Sequence, residues 1–215
     1  MAEFSLAKRL ELHELWLKSC GHEGVRLDLM GQAIRGTKIH DAFLVGARLK
    51  DADLRDTELI DANFTGSDLR GADLRDAELE GADFSAASMS GARFRGARLE
   101  RANLQRAKLG FADLREACLA EVDLTEADLI GAELRGVDLH KAKLRGAELS
   151  GADMRNADLS GADLSYAGLL GVNLAGVKID AETNFHDAKV NADDFIGVDL
   201  SVVKDEHLPE SLRAG

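Results

Sequence analysis

Residues 72–76 read Ala-Asp-Leu-Arg-Asp, residues 77–81 read Ala-Glu-Leu-Glu-Gly, and residues 82–86 read Ala-Asp-Phe-Ser-Ala. An apolar residue, here called the centre, returns at every fifth position from Leu29 to Ile179. A small residue, usually Ala, stands two positions before each centre, and Asp, Asn or Glu usually lies between them. Because this repetition covers most of the 215 residues, it predicts a repeat array and not a compact layered domain.

A five-residue period fits neither standard secondary structure. Successive fifth residues walk around the axis of an α-helix, and in a straight strand they alternate between the two faces. Both difficulties disappear if each repeat is one short extended segment followed by a corner. The small residue and the centre then point inward, and the residue between them points outward. Glycine at the second position after the centre, as in Gly66 and Gly71, suits such a corner.

The residue directly after the centre indicates how many sides the coil has. At seven repeats spaced by 20 residues it is arginine: Arg35, Arg55, Arg75, Arg95, Arg115, Arg135 and Arg155. A column with a 20-residue period predicts four pentapeptides per turn, whereas a three-sided coil would scatter these arginines over different faces. Phe64 and Phe84 are also 20 residues apart, so we expect their rings to stack inside the coil.

This run of Ala-(Asp/Asn)-Leu-x-x resembles the pentapeptide repeat family over roughly four-fifths of the chain. The opening segment, with His13, Trp16 and Gly21, resembles a bacterial subgroup of that family. The resemblance implies an all-β fold, a right-handed quadrilateral parallel β-helix with an N-terminal α-helical cap. With ~4.8 Å per stacked strand, about nine coils would make a rod ~40 Å long.

We expect three segments along the chain. Residues 1–26 form an N-terminal helical cap, residues 27–200 form the pentapeptide-repeat β-helix, and residues 201–215 form a C-terminal cap or a self-association tail. The five-residue register slips by one position around residues 180–184, which predicts an inserted residue there. If residues 201–215 are a self-association tail, the protein would form a homodimer through its C-terminal end.

The cap should contain one helix from Phe4 to Ser19, because its apolar residues follow a 3.6-residue period and Gly21 suits a helix end. His13, Trp16 and His22 keep no ligand spacing with a carboxylate, a cysteine or a third histidine. We therefore predict that these three residues pack the helix against the first coil.

Charge and composition exclude several function classes. The chain has 27 basic and 39 acidic side chains, a net charge of −12, which argues against direct nucleic-acid binding. Cys20 and Cys118 form no metal-type or redox spacing. No signal peptide or membrane span is apparent, so we expect a cytoplasmic protein without a membrane partner. An interior filled by leucine and alanine leaves no room for a substrate, so we expect no enzyme, cofactor or metal.

Two outward surfaces are candidate interaction sites. The first is the arginine ladder, Arg35 to Arg155, which acidic side chains on the same face should neutralise; we therefore favour a structural role over an anion-binding track. The second is the acidic face, whose acids outnumber its bases. Its candidate residues are Glu58, Asp61, Glu78, Glu80, Glu100, Glu121, Asp138 and Asp158.

These features lead to three functional hypotheses. The first is a rigid, non-enzymatic interaction scaffold that presents charged faces to an unidentified protein partner. The second comes from the family resemblance, since members that protect DNA gyrase from quinolones work as DNA mimics; here the acidic face would act on gyrase or another type II topoisomerase. The third is a structural oligomerising module that uses the C-terminal tail.

Overall fold

The repeat forms a coil of 20 residues per turn in the computed structural model, which describes residues 4–212. Between Asp28 and Lys189 the chain forms parallel β-bridges, most of which join a residue to the one 20 positions later, as Asp73 pairs with Arg93. Each side contributes one bridging residue before the chain bends, so the described residues carry isolated bridges and no extended strands. Five residues per side and 20 per turn give four sides, as the arginine spacing predicts.

Hydrogen bonds between coils run along the axis of the rod. On one side, the Leu74 N–H donates to the Arg93 carbonyl (2.7 Å), and the Arg93 N–H donates to the Ala72 carbonyl (2.9 Å). At the corners, the second residue after the centre has a positive φ, +66° at Gly71 and +58° at Asp76. Glycine reaches this conformation without steric cost, which explains why it is frequent at that position.

The interior is filled by the two inward columns that the sequence predicts. From position 42 to position 174 every centre and every small residue two positions before it is buried. Thr57 and Ser67 replace alanine there, and their hydroxyls donate to the carbonyls of Leu54 (2.7 Å) and Phe64 (2.6 Å). These buried polar atoms are therefore satisfied within the same turn.

The predicted stacking of two phenylalanines is confirmed. The rings of Phe64 and Phe84 are 4.5 Å apart between centroids and only 6° from parallel. Phe94 meets Phe84 edge-on, with 6.2 Å between the ring centroids. Aromatic rings at these separations attract each other beyond the simple burial of their area.

The N-terminal helix, α1, spans Leu6–Lys18, slightly shorter at both ends than the predicted 4–19. The Ser5 hydroxyl accepts from the Lys8 N–H at its start. At its end the N–H groups of Cys20 and Gly21 donate to the carbonyls of Leu17 (3.2 Å) and Trp16 (2.8 Å). This pair of bonds is a Schellman motif, with both Cys20 and Gly21 at positive φ. No helix in residues 4–212 is long and apolar enough to span a bilayer.

Polar contacts seat α1 on one side of the first coil. His13 is fully buried, and its Nδ1 accepts from the Leu27 N–H at 3.0 Å. The Arg9 guanidinium donates to the Asp28 carbonyl, and Arg26 Nε donates to the Gly46 carbonyl at 2.5 Å. The ring of Trp16 stacks on that of His13 with 5.6 Å between centroids.

His13 and Trp16 therefore pack as the sequence predicts, whereas His22 is exposed and the prediction for it is wrong. His22 follows the Schellman turn, where its N–H donates to the Ser19 carbonyl (3.2 Å). Its side chain is thereby left in solvent, outside the contact between helix and coil.

The predicted one-residue insertion is confirmed near the C-terminal end. Asp163 bridges Asn184, 21 positions later. The Asp180 carboxylate lies in the inserted turn, where it accepts from the N–H groups of Gly161 (2.9 Å) and Thr183 (3.0 Å). Thr183, which then takes the small inward position, is buried and donates its hydroxyl to the Leu159 carbonyl (3.1 Å).

Beyond Lys189 the chain continues in short turns. They are 3-10 helices at Ala192–Phe195, Leu200–Val202, Asp205–His207 and Glu210–Leu212. The Phe185 N–H donates to the His207 carbonyl (2.7 Å), so the tail supplies a bond that a further coil would otherwise make. Val203 and Leu208 are buried. The predicted segment boundary between residues 200 and 201 remains a prediction.

Replacing Phe64 with Ala should test the stacked interior. The substitution removes a ring packed on Phe84 and should lower the free energy of unfolding by about 3–5 kcal/mol, measured by urea denaturation. Phe111→Ala is the matched control, because that ring is 73% exposed and its loss should change stability by no more than about 0.5 kcal/mol. Equal losses in the two variants would contradict the assigned interior.

The seat of α1 should depend on pH through His13. Burial lowers the pKa of His13, and Arg26 lowers it further, while the backbone carbonyl of Val45 opposes both. A histidine with a lowered pKa binds its proton more weakly in the folded state. Stability should therefore fall as pH drops below the unfolded value of about 6.5, and the loss should grow until the folded pKa is reached.

The variant His13→Gln should show a flatter dependence of stability on pH than the wild type, measured by urea denaturation between about pH 7.5 and about pH 5.5. His22→Gln is the control and should keep the wild-type dependence, since that side chain is exposed. The assignment fails if His13→Gln retains the full pH dependence.

Candidate interaction faces

The outward positions stack into columns because each coil repeats the one before it. A side chain between the small residue and the centre lies over its counterpart 20 positions later, as Glu58 lies over Glu78. Charges placed at this position recur at the spacing of ~4.8 Å between stacked strands. Like charges in one column therefore repel unless neighbouring columns neutralise them.

Every arginine of the ladder pairs with an acid. In four of them the guanidinium makes a forked, bidentate contact with the Asp two residues earlier. Arg75, for example, donates from Nε to Asp73 Oδ1 (2.8 Å) and from Nη2 to Asp73 Oδ2 (2.6 Å). The four forked arginines are Arg55, Arg75, Arg115 and Arg155. Two parallel N–H···O bonds fix the geometry of each pair.

The other three ladder arginines reach to the following coil. Arg35 and Arg135 contact Asp53 (2.5 Å) and Asp153 (2.9 Å), and Arg95 contacts Glu116 (2.9 Å). Position 33 is Ala and position 93 is Arg, so Arg35 and Arg95 have no acid two residues earlier. Sequence reasoning missed that a ladder arginine bonds to an aspartate two residues before it, although the tripeptide Asp-Leu-Arg indicates this pair.

Some of these arginines also lower the pKa of the aspartate that they contact. The hydrogen bond from Arg115 is the main cause that lowers the pKa of Asp113, and the one from Arg155 does the same for Asp153. Partial burial opposes both shifts. These aspartates stay ionised well into the acid range, so the ladder remains a balanced set of ion pairs and offers little free positive charge to an anion.

The acidic face is neutralised only in part. Lysine or arginine pairs with Glu58, Glu80, Glu100 and Asp158. Asp138 lies 4.0 Å from His140. Within residues 4–212 the remaining three acids, Asp61, Glu78 and Glu121, form no ion pair.

Asp158 shows how strongly a basic neighbour acts on this face. Partial burial raises its pKa, but hydrogen bonds from Lys178 (2.7 Å) and Ser160 (3.0 Å) outweigh that effect and bring the pKa to about 2. Cys118 lies in the same column. Burial is the largest cause that raises the pKa of its thiol, and Glu100 adds to it, so the thiolate is disfavoured.

Metal and substrate chemistry find little support in the described part of the chain. No group of three or more His, Cys, Asp or Glu side chains in residues 4–212 could hold a metal ion. Three surface hollows lie at the N-terminal end, between α1 and the first coil. Sequence reasoning missed these hollows, because no periodic feature indicates where α1 lies.

A coil of stacked pentapeptides with four sides defines the class of this protein. The family model for pentapeptide repeats matches residues 34–71, 77–110, 107–146 and 142–179. The chain therefore belongs to the pentapeptide repeat family, whose members are right-handed quadrilateral β-helices. A search of curated proteins found no match.

Solved structures include several similar pentapeptide repeat proteins. A trypsin-treated form of QnrB1, described as a plasmid-mediated fluoroquinolone resistance protein, is 21% identical over 84% of both chains, with a TM-score of 0.54. HetL from the cyanobacterium Nostoc sp. strain PCC 7120, involved in the regulation of heterocyst differentiation, is 29% identical over 83% of this chain and 89% of its own, with a TM-score of 0.39. The protein alr5209 from Nostoc is 35% identical over 44% of this chain and 84% of its own, with a TM-score of 0.41.

Proposed function

We propose that this protein is a rigid, non-enzymatic interaction scaffold that presents charged faces to a protein partner. The observation that carries the proposal is the division of the coil into a filled interior and outward columns of variable side chains. Proteins of this family are generally non-enzymatic scaffolds. A rod of this kind changes shape little on binding, so its recognition depends on the pattern of its surface charges.

We further propose that the rod has about nine coils and that both ends are closed by non-repeating chain. At the N-terminal end, α1 shields part of the first coil. At the C-terminal end, the contact between Phe185 and His207 and the buried Val203 and Leu208 support closure by the tail. Unpaired strand edges invite association with other chains, so closed ends favour a single rod. A homodimer through the tail stays the alternative, supported by exposed Ile196 and Val202.

Of the two charged faces, we propose that the acidic one carries recognition. Every arginine of the ladder is paired, whereas Asp61, Glu78 and Glu121 form no ion pair within residues 4–212, so the acidic face can offer charge to a partner. The whole chain carries a net charge of −12, which favours a partner with a basic surface and disfavours direct contact with nucleic acid. The cytoplasm is the compartment that we propose.

Neutralising the unpaired acids should weaken capture of a partner. We expect the triple variant Asp61→Asn, Glu78→Gln, Glu121→Gln to retain less of a stoichiometric partner than the wild type in a pull-down from cell extract. Charges at the rim of an interface act mainly on the rate of association, so the loss of captured partner should be largest at low salt.

The matched control changes net charge by the same amount on other corners, through Asp51→Asn, Asp56→Asn and Asp76→Asn. These aspartates are exposed corner residues with positive φ, like Asp61. Equal losses for both triple variants would mean that net charge alone matters and would remove the assignment to the acidic face. If no specific partner is retained by the wild type, the scaffold proposal itself loses its support.

The second candidate function is that of a DNA mimic that regulates or protects a type II topoisomerase. The acidic face favours it, because a rod with rows of carboxylates resembles DNA in width and charge. Arg98 lies within this face and pairs with Glu80 (2.8 Å) and Glu100 (3.3 Å), which shortens the unpaired acidic row. For this reason the general scaffold remains the first proposal.

A supercoiling assay with purified DNA gyrase separates the two candidates. A gyrase regulator should inhibit supercoiling, or restore it in the presence of a fluoroquinolone, and the acidic-face triple variant should do so more weakly. If the wild-type protein changes neither activity, gyrase is excluded as its target while the scaffold proposal stands.

A further inference from the structure

One side of the first coil is covered by α1 only in part. Ile34 and Ile39 occupy inward positions there, yet they remain only half-buried, unlike the centres of the coils below. Phe43 stands in the outward position beside them and is 56% exposed. This apolar surface has no preceding coil above it, and α1 covers it only in part.

A groove runs between this surface and α1. It consists of two adjoining hollows of about 410 and 450 Å³, which share Phe43 and Glu14. On the helix side the lining residues follow a helical stripe: Ala7, Leu10, Glu14 and Leu17. On the coil side the groove is lined by Ile39, Ala42 and Phe43. The part of α1 that lines the groove, from residue 7 to residue 18, is ~16 Å long, about three helical turns.

The shape of the groove fits another helix. A helix lying alongside α1 can place residues spaced by three and four positions against the stripe of Leu10 and Leu17, with Phe43 as the floor. The exposed aromatic ring between two aliphatic walls is the kind of residue that contributes strongly when it is covered by a partner.

The charged side chains around the groove form two ion pairs and leave one acid without an ion pair in the described residues. Glu11 and Glu14 lie on the helix wall, and each pairs with a lysine of α1, Lys8 (2.8 Å) and Lys18 (2.5 Å). Asp41 lies on the coil wall and forms no ion pair within residues 4–212. Asp61, also unpaired in this range, follows Asp41 by 20 positions on the same corner. The groove therefore opens onto the upper end of the acidic face.

We propose that this groove binds a basic amphipathic helix of a partner protein, with the apolar side of that helix on Phe43 and its basic residues toward Asp41 and Asp61. The inference rests on the proposed scaffold function and specifies the class of the partner. A second copy of this chain fits less well. Two copies would bring Asp41 of both chains together, and each chain already carries a net charge of −12.

The first experiment uses a fluorescein-labelled amphipathic peptide of leucine and lysine, about 14 residues long, as the probe. Its binding to the full-length protein is followed by fluorescence anisotropy at about 0.15 M salt, where long-range attraction is largely screened. We expect saturable binding that Phe43→Ser weakens at least about tenfold, because the apolar floor is lost without a change in charge. Phe111→Ser, which removes an exposed phenylalanine at a corner away from the groove, should change the affinity less than about twofold.

The second experiment tests the charge of the groove. Asp41→Asn should weaken binding of the leucine–lysine peptide severalfold more than Asp76→Asn, a corner aspartate of similar φ on the ladder. Asparagine tolerates the positive φ of Asp41, so the corner should keep its shape. A peptide of the same pattern with glutamate in place of lysine should not bind.

Several outcomes would overturn the proposal. Equal weakening by Phe43→Ser and Phe111→Ser would place the peptide elsewhere on the acidic rod. Sedimentation showing a wild-type dimer that Phe43→Ser dissociates would assign the groove to a second copy of this chain. If a partner isolated by pull-down binds Phe43→Ser as well as the wild type but not the acidic-face triple variant, the groove proposal fails while the scaffold function stands.

Discussion

The rest of the structure depends on the stacking of one coil on the next. Each side of a coil forms backbone hydrogen bonds with the coils above and below it, as Leu74 and Arg93 do. The extended segment of one side has no strand partner within its own coil, so it is stable only when other coils lie above and below it. Burial of the centres adds roughly 1.5–3 kcal/mol for each leucine, and it too requires neighbours on both sides.

This constraint divides the chain into two kinds of position. Inward positions are small and buried. Thr57 and Ser67 replace alanine there, and because their hydroxyls are buried they donate to carbonyls of the preceding side. Outward positions are free in size but tied to the column above and below. The arginine ladder meets that condition by pairing each cation with an acid, and the acidic face meets it only in part. The two faces therefore differ both in composition and in how far their charges are paired.

The same division explains how much the sequence could predict. The four-sided coil, the stack of Phe64 on Phe84 and the inserted residue before Thr183 were all predictable, because each leaves a mark in a 20-residue period. The choice of ion-pair partners was not, since Arg75 and Arg95 occupy the same column and yet bond to acids on different coils. That choice depends on whether an aspartate stands two residues earlier: Arg135 follows Glu133 and still reaches Asp153 on the next coil.

The seat of α1 could not be predicted for a different reason. Amphipathic periodicity indicates which side of a helix is apolar but not which part of a surface it covers. Here the position is set by a few polar contacts, chiefly those of Arg9 and His13 with the backbone of Asp28 and Leu27. Side-chain to backbone contacts of this kind leave no pattern in the sequence. His22 illustrates this limit of sequence-based prediction. It is exposed because it lies after the end of α1, whereas His13 lies within α1 and is buried.

Different elements cover the apolar interior at the two ends of the rod, α1 at one end and short 3-10 turns at the other. One straight helix of 13 residues cannot follow a four-sided outline, so anchoring α1 near Leu27 and Asp28 leaves the side with Ile39 and Phe43 only partly covered. Short 3-10 turns bend more readily, and at the other end they bring Phe195 edge-on to Phe185, with 5.3 Å between ring centroids. An exposed phenylalanine beside half-buried isoleucines is thus a direct consequence of closing a square coil with a single helix. The first coil is where the fold leaves apolar surface that its own repeat cannot cover.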